Sequence, residues 1–129
     1  MIINNNETKV KTPVSDFYVK YYYGGGIAGE GISITIDSEG NYKFEDTRNE
    51  EELFGKLTQQ EIDELAKYII EEVKVEYMAA SKVTKTDGYI GSLELICNGR
   101  RHYSMGEFTG NRRFDLIGKR LRSYKEQFQ

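Results

Sequence analysis

Residues 21–34 read YYYGGGIAGEGISI. Three tyrosines run into three glycines, two more glycines follow, and an alternating run begins. The fold turns on whether this stretch opens a helix around a phosphate or reverses the chain between two strands. Gly24-x-Gly26-x-x-Gly29 matches the dinucleotide fingerprint letter for letter. That fingerprint works because a helix starts behind it and offers amides to a pyrophosphate. Here Ile32, Ile34 and Ile36 alternate with Ser33 and Thr35, which is the period of a strand. Without the helix, a phosphate would find no row of donors. A Walker loop needs Gly-Lys-Ser/Thr, and the segment has none. A kinase glycine loop does join two strands, but the chain is too short for a kinase and carries none of its catalytic triplets. The glycines therefore read as a hairpin loop that permits positive φ and close backbone approach.

Upstream, Phe17, Val19, Tyr21 and Tyr23 alternate with Tyr18, Lys20 and Tyr22, a first strand rich in aromatics. Downstream, residues 37–41 form a turn with Gly40 or Asn41 at positive φ, and Tyr42 and Phe44 continue as a short third strand. Residues 46–57 are acidic and read as irregular, with Leu53 and Phe54 as anchors. Thr58-Gln59-Gln60-Glu61 is a capping box, and Ile62, Leu65, Ile69, Ile70 and Val73 follow at helical spacing. Residues 75–81 read equally as a strand or a linker, and residues 82–88 as a polar loop. Two alternating runs flank Asn98-Gly99, the strongest short hairpin signal.

Burial suggests the register of that hairpin. A three-residue turn pairs Leu95 with Arg101, Leu93 with Tyr103 and Gly91 with Met105. It sets Leu93, Tyr103 and Met105 on one face and Ser92, Glu94, His102 and Ser104 on the other. That register is preferred over a two-residue turn, and it leaves His102 exposed opposite Glu94. A closing helix spans about 111–127, with Asn111 as N-cap, Phe114, Ile117, Leu121 and Tyr124 as its apolar stripe, and Gly118 for close packing. The expected fold is a single α+β domain: an antiparallel sheet of about five strands, in the order β-β-β-α-β-β-α, with two helices on one face. Residues 1–13, polar and Asn-rich, read as a flexible leader to a domain spanning 14–129.

The 129 residues suit one core without metal or disulfide, and the single Cys97 allows no internal bridge. No apolar run approaches the ~18 residues of a membrane span, and no signal-peptide pattern opens the chain. A cytoplasmic setting is the expectation, although a secreted chain trimmed of its leader would read the same. Residues 1–97 carry 10 Lys/Arg against 18 Asp/Glu, whereas residues 98–129 carry 8 against 3.

With one His and one Cys, no zinc site of the usual kind assembles, and no cofactor is expected. Cys97 with His102 as base is one enzyme reading, although no base is evident at the turn to activate the thiol, and a carboxylate acid–base pair is another, although no spacing singles out two carboxylates. Arg100, Arg112, Arg113 and Arg120 are candidates for binding nucleic acid or another anionic ligand. The net charge of −3 runs against that reading. The acidic stretch 45–76 could instead mimic nucleic acid and block a nuclease or other DNA-binding protein.

Gly25-Gly26-Ile27-Ala28-Gly29 resembles the GGFAG signature of emfourin-type protease inhibitors. Leu57-Thr58-Gln59-Gln60-Glu61 is similar to the family's helix start, and residues 93–103 to its strand, Asn-Gly turn and basic return strand. Ile27 stands where the family has an aromatic, and the Asn-rich leader and the acidic loop at 46–56 are extra. The resemblance, shared with small bacterial domains of unknown function, implies a non-enzymatic α+β module. It inhibits a partner protein, in the type member a thermolysin-class metalloprotease. The partner surface expected on this chain is Tyr22, Tyr23, Gly25, Gly26, Ile27, Ala28 and Gly29. Packing of Tyr21 and Tyr23 on the helices is the competing reading for those two rings.

Overall fold

Strands β1 (Tyr18–Gly25) and β2 (Glu30–Ile36) pair antiparallel through the glycine segment, with Tyr23 opposite Ile32 and Gly25 opposite Glu30. The computed structural model describes residues 9–26, 29–81 and 88–129. A strand, not a helix, follows the glycines, so the backbone reverses there. β3 (Asn41–Asp46) follows a turn in which the Asp37 carboxylate accepts from the amides of Glu39 and Asn41 and Gly40 takes φ 87°.

The first departure from expectation is β4 (Glu51–Lys56), a strand where an irregular acidic loop was expected. Its inward positions are Glu51, Leu53 and Gly55, too mixed to read as an apolar face. Glu51 and Gly55 are satisfied by the C-terminus instead, and Leu53 packs against the core. Lys125 Nζ lies 2.8 Å from the Glu51 carboxylate, and the Phe128 ring fills the space a Cβ on Gly55 would need. Phe54 points the other way and is 64% exposed, so it anchors nothing. The sheet thus has six strands rather than five, in the spatial order β4-β3-β2-β1-β5-β6, every neighbour antiparallel. The chain order is four strands, a helix, two strands and a helical end.

Helix α1 (Gln59–Lys67) starts at the expected capping box: the Thr58 side chain accepts from the Glu61 amide and Glu61 accepts from the Thr58 amide. A π-helical turn, Tyr68–Glu72, extends it, and a 3₁₀ turn spans Val75–Tyr77. Residues 75–81 are therefore no strand of the sheet, although Ser81 forms one bridge with Glu107. β5 (Tyr89–Cys97) and β6 (Arg100–Gly106) precede α2 (Arg112–Ser123), capped by the Asn111 side chain, and the short α3 (Lys125–Phe128). Residues 82–87 of the expected polar loop lie outside the described residues.

The β5–β6 register also departs from expectation. Cys97 faces Arg100, Leu95 faces His102 and Leu93 faces Ser104, so the turn has two residues. Asn98 and Gly99 take φ 50° and 81°, the positive pair of a type I′ turn. Asn98 is also fastened from outside the hairpin. Its amide donates to the Ser15 carbonyl and its side chain accepts from the Ser15 amide and donates to the Lys11 carbonyl. These bonds, together with the turn, hold the one-residue difference that reverses every β6 side chain.

One face of the sheet carries the core. Val19, Tyr21, Ile34, Ile36, Tyr42, Phe44, Leu93 and Leu95 are buried there. Ile62, Leu65 and Ala66 from α1 and Phe114, Ile117 and Leu121 from α2 complete it, so both helices cover the same face. Tyr21 stacks on Phe114 at 4.5 Å between ring centroids, and Phe114 on Phe108 at 4.2 Å. Val10, within the stretch assigned to the leader, packs on this core, and its amide donates to the Glu71 carboxylate.

Candidate functional site

Among the described residues, no helix lies over the opposite face of the sheet. Tyr22, Ser92 and Met105 are neighbours across three strands of that face, and Lys20, Glu94 and Tyr103 form the next row. Tyr103 is 51% exposed and Met105 60%. The Tyr22 ring lies flat over Gly24 and Gly31: a Cβ on Gly24 would come within 2.6 Å of the Tyr22 hydroxyl, and one on Gly31 within 3.1 Å of its ring. These two glycines therefore clear a bed for an aromatic ring on the open face. Some charges of this face pair with one another, while Lys20 is exposed with no side-chain partner among the described residues. Lys43 Nζ sits 3.7 Å from Glu45 and 3.5 Å from Glu52, and Arg101 Nε donates to Glu94 over 2.9 Å.

The expected partner surface divides. Tyr23 turns to the helix side, stacked on Tyr89 at 5.5 Å and tilted against Phe114 at 6.2 Å. Tyr22 stays on the open face. Gly25, Gly26 and Gly29 take φ 129°, 76° and 66°, and the Gly29 amide donates to the Gly26 carbonyl. Ile27 and Ala28 lie outside the described residues. Tyr103 and Met105, not foreseen as surface residues, join Tyr22 because the two-residue turn sends them outward.

The other side of the same hairpin forms a cleft of about 600 Å³ against residues 9–11 and the two helical turns after α1. His102, expected on the exposed face, is turned inward and lines it. Its Nε2 is buried with no hydrogen-bond partner among the described residues, and burial holds the imidazole below its ordinary value. Cys97 lines the same cleft. Burial, with Asp63 adding to it, pushes the thiol up to about 11, far from the nucleophilic thiolate. Lys9, Lys11 and Arg100 stand around the cleft, with Glu76 as the acid among its lining residues.

The four expected anion-binding arginines do not converge. Arg100 belongs to the cleft. Arg113 donates to the Val73 carbonyl and covers Tyr77, while Arg120 lies 4.7 Å from the Tyr68 ring centre and donates to the Tyr124 hydroxyl. Arg112 is exposed at the start of α2. The acidic stretch is likewise engaged in structure: Glu45 and Glu52 with Lys43, Glu51 with Lys125, Glu61 in the capping box.

Among the described residues, no group of three or more His, Cys, Asp or Glu side chains is placed to hold a metal ion, and no helix is long and apolar enough to cross a membrane. Comparison with protein-family models finds no match, and comparison with curated proteins finds none either.

Proposed function

We propose that this chain is a non-enzymatic protein-binding module that inhibits a partner protein, such as a protease, through the open face of its sheet. The observation that carries this reading is the exposure of Tyr103 and Met105 beside the half-buried Tyr22, on a face no helix covers. Tyrosine and methionine are enriched at the centres of protein interfaces, where burying them against a partner is favourable. We read the occupant as a polypeptide rather than a nucleic acid, because Lys43 and Arg101 on this face are engaged by Glu45, Glu52 and Glu94 and are not free to neutralise a polyanion.

The test uses the immobilised chain in an extract of its source cell. A stoichiometric protein retained by the wild type and by Tyr77→Asp, an exposed aromatic off the sheet, and lost by Tyr103→Asp with Met105→Asp, supports the reading. Retention unaffected by the double substitution, or recovery of nucleic acid with no protein, sinks it. A thermolysin-class metalloprotease left fully active by an excess of the chain sinks the metalloprotease form alone.

A further inference from the structure

We propose that the cleft behind the β5–β6 hairpin is a binding site for a small amphipathic anion, with the apolar body inside and the charged head at Lys9 and Lys11. This site faces away from the open sheet surface and is independent of the protein-binding reading.

Size and lining argue for it together. A volume of about 600 Å³ lies within the ordinary range of small-molecule pockets, roughly 300–1,000 Å³. The walls are Val10, Ile70, Val75 and Leu95, from four separate parts of the chain. An apolar ligand body would replace water against the half-buried Val10 and Ile70, above Val75 and Leu95, which are already buried. Lysines 9 and 11 carry no hydrogen bond or ion pair of their side chains among the described residues, and a carboxylate or phosphate would give them one. Arg101 also borders the cleft, but its guanidinium is committed to Glu94. Glu76 is the opposing acid, so cations outnumber it.

His102 also lines the cleft, but its Nε2 is closed to solvent and has no hydrogen-bond partner among the described residues, so it offers a ligand in the cleft no hydrogen bond. Charge at the rim beside apolar side chains defines a ligand that is polar at its head and apolar in its body.

Octanoate, octyl phosphate, octanol and inorganic phosphate are the probes, titrated into ¹⁵N-labelled chain. Octanoate or octyl phosphate should shift the amides of Val10, Ile70 and Leu95 and the ring nitrogens of His102. Whichever binds more tightly identifies a carboxylate or a phosphate head. Lys9→Glu with Lys11→Glu, both exposed positions, should weaken that binding about tenfold or more, since charge-assisted contacts dominate head-group affinity. The proposal is overturned if neither anion shifts these resonances at millimolar concentration. It is overturned equally if octanol or inorganic phosphate binds as well as the amphipathic anion, or if the lysine pair can be reversed without effect.

Discussion

The ring of Tyr21 lies against Gly118 so closely that α2 has no room for a Cβ at that position. The contact fixes the height of α2 above β1, and the stack of Tyr21 on Phe114 extends it along the helix. Glycine inside a helix ordinarily costs about 0.5–1 kcal/mol relative to alanine. Here Gly118→Ala should do the reverse of the ordinary rule and destabilise the fold by about 1–3 kcal/mol, the usual penalty of overpacking. Urea denaturation measures it. A cycle with Tyr21→Leu should show the two changes to be non-additive by about 1 kcal/mol. Stabilisation by Gly118→Ala would refute the close packing.

The β5–β6 register makes a prediction that separates its two faces. Met105→Asp and Tyr103→Lys should change stability by no more than about 0.5 kcal/mol, as exposed substitutions do. Ser104→Asp, at the inward position opposite Leu93, should cost several times more, because it turns a charge toward the core side. Equal costs on the two parities, read from urea midpoints, would mean that the three-residue turn is present after all.

Why this register escaped the sequence while the glycine hairpin did not has a physical basis. Residues 17–36 signal twice over, through alternation and through glycines placed where a chain must turn, and both signals agree. In β6 the signals conflict. Burial of Tyr103 and Met105 favours one register and the Asn98-Gly99 pair favours the other. The turn prevails because β6 is an edge strand whose inner positions, His102 beside the cleft and Ser104, are only half-buried, so neutral polar side chains turn inward there at little cost. The bonds from Asn98 to Ser15 and Lys11 are long-range and leave no local trace. β4 escaped for a related reason. Its inward face is finished by Lys125 and Phe128, some 70 residues away in the chain, and reads locally as Glu-Leu-Gly. Of the candidate surface, Tyr22 was legible; Tyr103 and Met105 became visible only with the register.

The thiol of Cys97 should be inert in the folded chain. Burial places its ionisation near 11 in place of the ordinary 9.0. At pH 8 that leaves roughly 100-fold less thiolate than an ordinary thiol, and alkylation proceeds through the thiolate. Iodoacetamide should therefore modify the native chain roughly two orders of magnitude more slowly than the urea-unfolded chain. Native alkylation at the unfolded rate would mean the thiol is accessible and ionised, and would reopen the nucleophile reading of the cleft.

Acid should weaken the fold in a way that traces to Glu61. Its carboxyl is held below the ordinary 4.5, chiefly by the Thr58 amide; partial burial opposes this, and Gln127 and the Thr58 hydroxyl reinforce it. A folded value below the unfolded one means that folding favours the ionised form. The stabilisation is then complete above about pH 4.5 and disappears as the pH falls through the depressed value. Asp37 shifts in the same direction: burial acts to raise it, but hydrogen bonds from Asn41 and Glu39 outweigh burial. Glu61→Gln should therefore lower the urea midpoint at pH 7, and its deficit against the wild type should shrink steadily below pH 4.5. Thr58→Ala, which removes the other half of the box, should cost about 1 kcal/mol at pH 7. A Glu61→Gln deficit that stays constant from pH 7 to pH 3 would show that the carboxylate's charge plays no part in capping α1.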